Sequence, residues 1–134
     1  MMEYKQTFGD LYKTAKDKFN IQKAPKLRLR QDKENAKKTF GRTAHYDPQE
    51  QTIVIFITNR HPKDILRSFC HELIHHVQNE RGDLNIGDAS SPTYAQDDKH
   101  MRSMEKEAYL EGNLLLRDFE DNKKFNYKKT LWEC

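Results

Sequence analysis

The sequence predicts a single α+β domain, and three observations carry that reading. Apolar residues near the start recur at helical spacing, the run "TIVIFIT" (52–58) is rich in β-branched residues, and two further helical stripes follow Pro62. A length of 134 residues suits one modest core. The domain is expected over residues 1–122, with a basic, aromatic tail over 123–134.

In the first element Phe8, Leu11, Tyr12, Ala15 and Phe19 fall on one side of a helix over about residues 3–19, with lysines on the other. After Ala24-Pro25, "KLRLRQ" alternates as a half-buried strand does, with Leu27 and Leu29 pointing inward. "TFGRTAHY" reads as a second strand, "DPQEQ" as a turn, and "TIVIFIT" as the strand that completes a hairpin, so the small sheet is expected to be mostly antiparallel. Pro62 then suits a helix first turn and Asp64 favours its positive end, while Ile65, Leu66, Phe69, Leu73, Ile74 and Val77 form an apolar stripe up to Gly82. Residues 82–99 read as a loop. A last helix over about 100–120 places Met101, Met104, Ala108, Leu115 and Phe119 on one side.

Charged residues make up 34% of the chain and apolar residues 35%, so the expected core is thin. Residues 1–44 carry 12 Lys and Arg against 5 Asp and Glu, residues 45–122 carry 8 against 15, and residues 123–134 carry 4 against 1. The middle is therefore acidic between basic ends, a pattern that suits nucleic-acid contact through the ends as well as ordinary solvation. No apolar run approaches a membrane span or a secretory signal, which points to a cytoplasmic protein with no membrane partner. Cys70 and Cys134 supply neither a disulfide framework nor a paired metal motif.

The chemistry concentrates in "SFCHELIHHVQ", Ser68 to Gln78. On a helix, His71 and His75 project from one face a turn apart, so both rings can reach one ion at about 2.0–2.1 Å. Zinc is the expected occupant. Glu72 lies about 100° further round, where a general base can meet a water beside such an ion. His45, His61 and His76 are read as non-ligands, His76 because it points about 100° away from His75.

A catalytic zinc ordinarily takes three protein ligands, and the last helix offers His100, Glu105, Glu107 and Glu111. With Ala108 at the centre of the apolar side, Glu105 falls on one flank, and Glu107 and Glu111 fall together on the other. The i, i+4 pair is preferred, with Glu107 as third ligand and Glu111 as an acceptor for a ligand imidazole. Glu105 and His100 stay open as alternatives.

"HELIH" followed by "EAYLE" resembles the gluzincin branch of zinc metallopeptidases, in which a glutamate on the next helix completes the site. The layout of "FGRTAHYDPQEQTIVIFITNRHPKDILRSFCHELIHHVQ" is similar to SprT-like peptidases, which close their site with a later histidine and so favour His100. Residues 40–120 look most like small candidate metallopeptidases of tailed bacteriophages, which would place the chain in the host cytoplasm. These resemblances imply a compact zincin-like domain, a zinc cofactor and a protein or peptide substrate. They lead to the expectation of peptide-bond hydrolysis by a metal-activated water with Glu72 as base. An extended peptide is expected to pair with the edge of the strand Thr52 to Thr58. Tyr94, His100 and Tyr109 are candidates for oxyanion stabilisation or substrate contact. The rival reading is a DNA- or protein-binding module with a structural or vestigial zinc site, supported by Phe125, Tyr127 and Trp132 among the lysines of the tail.

Overall fold

The computed structural model describes residues 2–32, 43–84 and 94–123. Three helices and a three-stranded sheet form in the order α1 (Met2–Phe19), β1 (Lys26–Arg30), β2 (Ala44–Asp47), β3 (Thr52–Phe56), α2 (Pro62–Glu80) and α3 (Tyr94–Lys123). The α+β class follows directly from this order.

The helical stripe of α1 buries Phe8, Leu11 and Ala15, with Tyr4, Tyr12 and Phe19 packed at its margin. The helix stops at Asn20, whose backbone turns left-handed (φ 56°), and Ile21 closes the core beneath it. Glu80 at the end of α2 then accepts the backbone N–H groups of Gln22 (3.0 Å) and Lys23 (2.8 Å), which ties the α1–β1 link to α2.

The sheet order is β1-β3-β2. The expected hairpin forms: β2 and β3 are antiparallel, with Ala44 opposite Ile55 and Asp47 opposite Thr52. Its turn is closed by Asp47 Oδ1, which accepts from the N–H groups of Gln49 (3.0 Å) and Glu50 (3.2 Å). β1, however, lies parallel to β3, with Lys26 opposite Thr52 and Arg30 opposite Phe56. The sheet is thus mixed rather than mostly antiparallel, because the chain passes from β1 to the far side of β3 before forming the hairpin. Two further expectations change with this topology. β3 is central, so Thr52 to Thr58 offers no open edge; the outer strands are β1 and β2. On the β1 edge only Leu29 packs on the core, and Leu27 is 37% exposed. The segment 39–42 of the expected second strand lies outside the described residues.

β3 buries Ile53 and Ile55 completely, and α2 lays Ile65, Leu66, Phe69 and Leu73 over them. The start of α2 is set by Pro62 and by His61, whose Nδ1 accepts the Lys63 N–H (3.0 Å). Arg60 fastens the hairpin to that start, donating to the carbonyl oxygens of Thr43 (2.8 Å) and Phe56 (2.7 Å), to the Asp64 carboxylate (2.7 Å) and to Ser68 Oγ (2.7 Å). Gly82 (φ 84°) ends the helix region.

α3 begins at Tyr94, six residues before the expected start, so the stretch from Tyr94 to Lys99 is helical rather than loop. It packs Met104, Ala108, Leu115, Leu116 and Phe119 into the core beside α1 and α2. At Gly112 it lies so close to α2 that a Cβ would stand 3.1 Å from both the Cα and the N of His71. Glycine inside a helix costs about 1 kcal/mol relative to alanine, and here it permits two helices to meet backbone to backbone. Gly112→Ala should therefore lower stability by about 1–3 kcal/mol in urea unfolding, because the overpacking penalty exceeds the gain in helix propensity. A stabilised variant would contradict the tight crossing.

Candidate metal centre

α2 carries His71, Glu72, His75 and Gln78 within two turns, and the Gly112 crossing brings one face of α3 against them. The rings of His71 and His75 meet edge to face, 4.9 Å between centroids at 81°. Their Nε2 atoms converge on one carboxylate: His75 Nε2 is 2.6 Å from Glu105 Oε1 and His71 Nε2 is 3.5 Å from Glu105 Oε2. One donor atom from each of the three lies within 4.8 Å of the others, a grouping that could hold a metal ion.

Glu105, and not Glu107, is the glutamate of α3 that faces the two imidazoles. Seven residues, or two turns, separate Glu105 from Gly112, so the flank of α3 that carries Glu105 is the one pressed towards the histidines. Glu107 lies on the other flank, where it accepts from Gln78 Nε2 (2.8 Å) and from both terminal nitrogens of Arg81 (2.6 and 3.2 Å). The Arg81 guanidinium, foremost, holds the Glu107 carboxyl below the ordinary carboxylate range; the Gln78 hydrogen bond adds to this and partial burial opposes it. Glu111, half-buried further along, does not bond an imidazole; that place is taken by Gln78, whose Oε1 is 2.8 Å from His75 Nδ1. Gln78 is completely buried and lies on the same face as His75, three residues on, a spacing that is the one sign of it in the sequence.

Glu72 is buried beside the two imidazoles, at 7% exposure. Burial, with Glu105 adding, raises its carboxyl from the ordinary 4.5 to about 8. The His71 imidazolium is disfavoured mainly by burial and then by His75, with Glu105 opposing both. These side chains open into a groove of about 620 Å³ that also includes Ala44, Tyr46, Arg67 and Tyr109. One wall is the outer strand β2, and Tyr109, 68% exposed, stands on the other side.

His100 does not approach the site, since its Nε2 meets the carbonyl oxygen of Asp83 (2.5 Å) and ties α3 to the end of the α2 turn. The Tyr94 side chain and the residues Phe125, Tyr127 and Trp132 lie outside the described residues. The three histidines read as non-ligands stand apart from the cluster. His61 caps α2. His76 is completely buried between Tyr46 Oη (2.7 Å) and the Lys23 carbonyl oxygen (2.6 Å). His45 packs against Phe56, and its buried Nδ1 has no hydrogen-bond partner among the described residues. Cys70 is a free, buried thiol, and no described helix is long and apolar enough to cross a membrane.

Compared with protein-family models, curated proteins and solved structures, the chain matches none. The site must be read from its own geometry.

The position of Glu72 has a measurable consequence in metal-free protein. Folded Glu72 keeps its proton up to about pH 8, whereas the unfolded carboxyl loses it near 4.5. The folded state thus binds more protons between these values, and the stability that Glu72 contributes at low pH is lost as pH rises through that window. With EDTA present, Glu72→Gln should match the wild type near pH 4 and exceed it at pH 8 by about 2–4 kcal/mol in urea unfolding. Equal stability at both pH values would contradict the buried carboxyl.

Proposed function

We propose that the protein is a zinc-dependent peptide hydrolase, with His71, His75 and Glu105 as ligands and Glu72 as general base. The observation that carries this reading is that three groups able to ligate an ion and a buried carboxyl line one groove together. Two imidazoles and one carboxylate are a donor set that catalytic zinc uses, leaving a fourth position for water. At zinc bond lengths, tetrahedral ligand atoms stand about 3.3 Å apart. His71 Nε2 stands 3.5 Å from Glu105 Oε2 and His75 Nε2 stands 2.6 Å from Oε1, so ligation through one oxygen calls for a rotation of this carboxylate, whose side chain is 59% exposed.

When bound, the ion supplies a Lewis acid, an acidified water and a positive charge that favours the ionised form of Glu72. Glu72 then accepts a proton from the attacking water and returns it to the departing amine, a role its place beside both ligand histidines allows. The groove suits an extended chain because β2 is an outer strand, so its outward backbone groups can pair with a peptide laid along that wall. The peptide edge is thus β2 and not the central strand β3.

The test combines metal analysis with turnover of an unstructured peptide mixture. Wild-type protein purified without added zinc should carry one ion per chain and cleave the mixture. Glu72→Gln should keep the ion while losing about 10²–10⁴ in rate, and His71→Ala and Glu105→Ala should lose the ion. Full activity in Glu72→Gln, or a metal-loaded wild type that cleaves nothing, contradicts the proposal.

A further inference from the structure

His75 and His76 are neighbours in sequence, yet the partners of their Nδ1 atoms demand opposite roles, a donor at His75 and an acceptor at His76. His76 Nε2 faces a carbonyl oxygen, that of Lys23, at 2.6 Å, and a carbonyl can only accept. Its Nδ1 faces the Tyr46 hydroxyl at 2.7 Å, which can donate. His76 therefore carries its proton on Nε2.

At His75 the partner is the Gln78 amide, whose orientation is not free. Gln78 Nε2 lies 2.8 Å from the Met104 carbonyl oxygen and 2.8 Å from Glu107 Oε1. Both are acceptors, and Glu107 is held ionised and in place by two contacts from Arg81. Turning the amide over would set oxygen against oxygen twice. Gln78 Oε1 must face His75 Nδ1, at 2.8 Å, so Nδ1 must donate. The Nε2 atom is then the one turned towards the ion position, where without an ion it meets Glu105 Oε1, a second acceptor, at 2.6 Å.

We propose that Gln78 is the positioning residue of the ion site: it commits His75 to ligation through Nε2, and Glu107 with Arg81 acts through it by fixing the amide. This rests on the zinc reading for its purpose but not for its geometry. Glu107, on this account, belongs to the site without touching the ion. Its carboxylate is two hydrogen bonds away from the His75 ring, and the chain Arg81–Glu107–Gln78–His75 joins the C-terminal end of α2 to α3 and back to α2. Outer partners of this kind set the tautomer and ring orientation of a ligand histidine, and their loss costs about 10–100-fold in metal affinity.

The test uses ¹⁵N signals of the histidine rings in metal-free full-length protein at pH 9, well above the ordinary imidazole range, together with competitive zinc titration. In Glu105→Ala, which removes the rival acceptor 2.6 Å from His75 Nε2, His75 should show its proton on Nδ1 and His76 on Nε2. In that background Gln78→Met should move the His75 proton towards Nε2 while leaving His76 unchanged, and in the chain that keeps Glu105 it should weaken zinc binding about 10–100-fold. Loss of general stability alone would not shift one ring and spare its neighbour. Because Gln78 is completely buried, Glu107→Gln at a half-buried position serves as the second variant, with a loss of roughly 3–10-fold in zinc affinity. The inference is overturned if His75 keeps its Nδ1 proton in Gln78→Met, or, should that variant not fold, if Glu107→Gln binds zinc as the wild type does. A wild type that takes up no zinc defeats the hydrolase reading, while the ring signals still decide the part played by Gln78.

Discussion

A Cβ at Gly112 would lie 3.1 Å from the Cα and N of His71, so α2 and α3 touch at the backbone beside the first imidazole of the pair. Interiors are packed too closely for such a contact to be relaxed without shifting a whole helix. Two turns before that point on α3 stands Glu105, and the distance from its carboxylate to the histidines is set by how closely the helices meet. The same crossing brings the Met104 carbonyl and Glu107 over Gln78. Site and core are therefore parts of one packing arrangement, and a metal site built across two helices inherits its precision from them.

The polar groups along α2 divide into those whose hydrogen bonds the fold satisfies and one, Glu72, whose charge it opposes. His76 and Gln78 are completely buried, and each meets partners that match its donors and acceptors. Glu72 is nearly as buried, and its surroundings oppose its charge. Folding a carboxyl into such a place is costly unless something else stabilises its ionised form, and a cation held by the adjacent imidazoles would do that. Among the described residues the groove is also lined by the outer strand β2 and by the exposed aromatic ring of Tyr109.

Much of this was legible in the sequence because it depends on local spacing. The helix that carries His71, Glu72 and His75, its start at Pro62, the hairpin closed by Asp47 and the apolar stripes of α1 and α3 all follow from periodicity and turn chemistry. What escaped depends on relations between elements. Helical geometry placed Glu105 and Glu107 on opposite flanks of α3, but only the direction in which α3 crosses α2 decides which flank faces the histidines. Gly112 carries that information, and a lone glycine in a helix has no signature that separates a close contact from a neutral site. The parallel pairing of β1 with β3 was hidden for the same reason, since alternation in "KLRLR" gives the face of a strand and not its neighbour. Gln78 escaped because a glutamine near a helix end is ordinarily a surface residue.

The most direct test of the account is anomalous diffraction at the zinc edge from crystals grown with zinc. The account predicts one strong peak about 2.0–2.1 Å from His71 Nε2, from His75 Nε2 and from a Glu105 carboxylate oxygen, with Glu107 still on Arg81. A peak that Glu107 ligates, or two imidazoles without a peak between them, would contradict it.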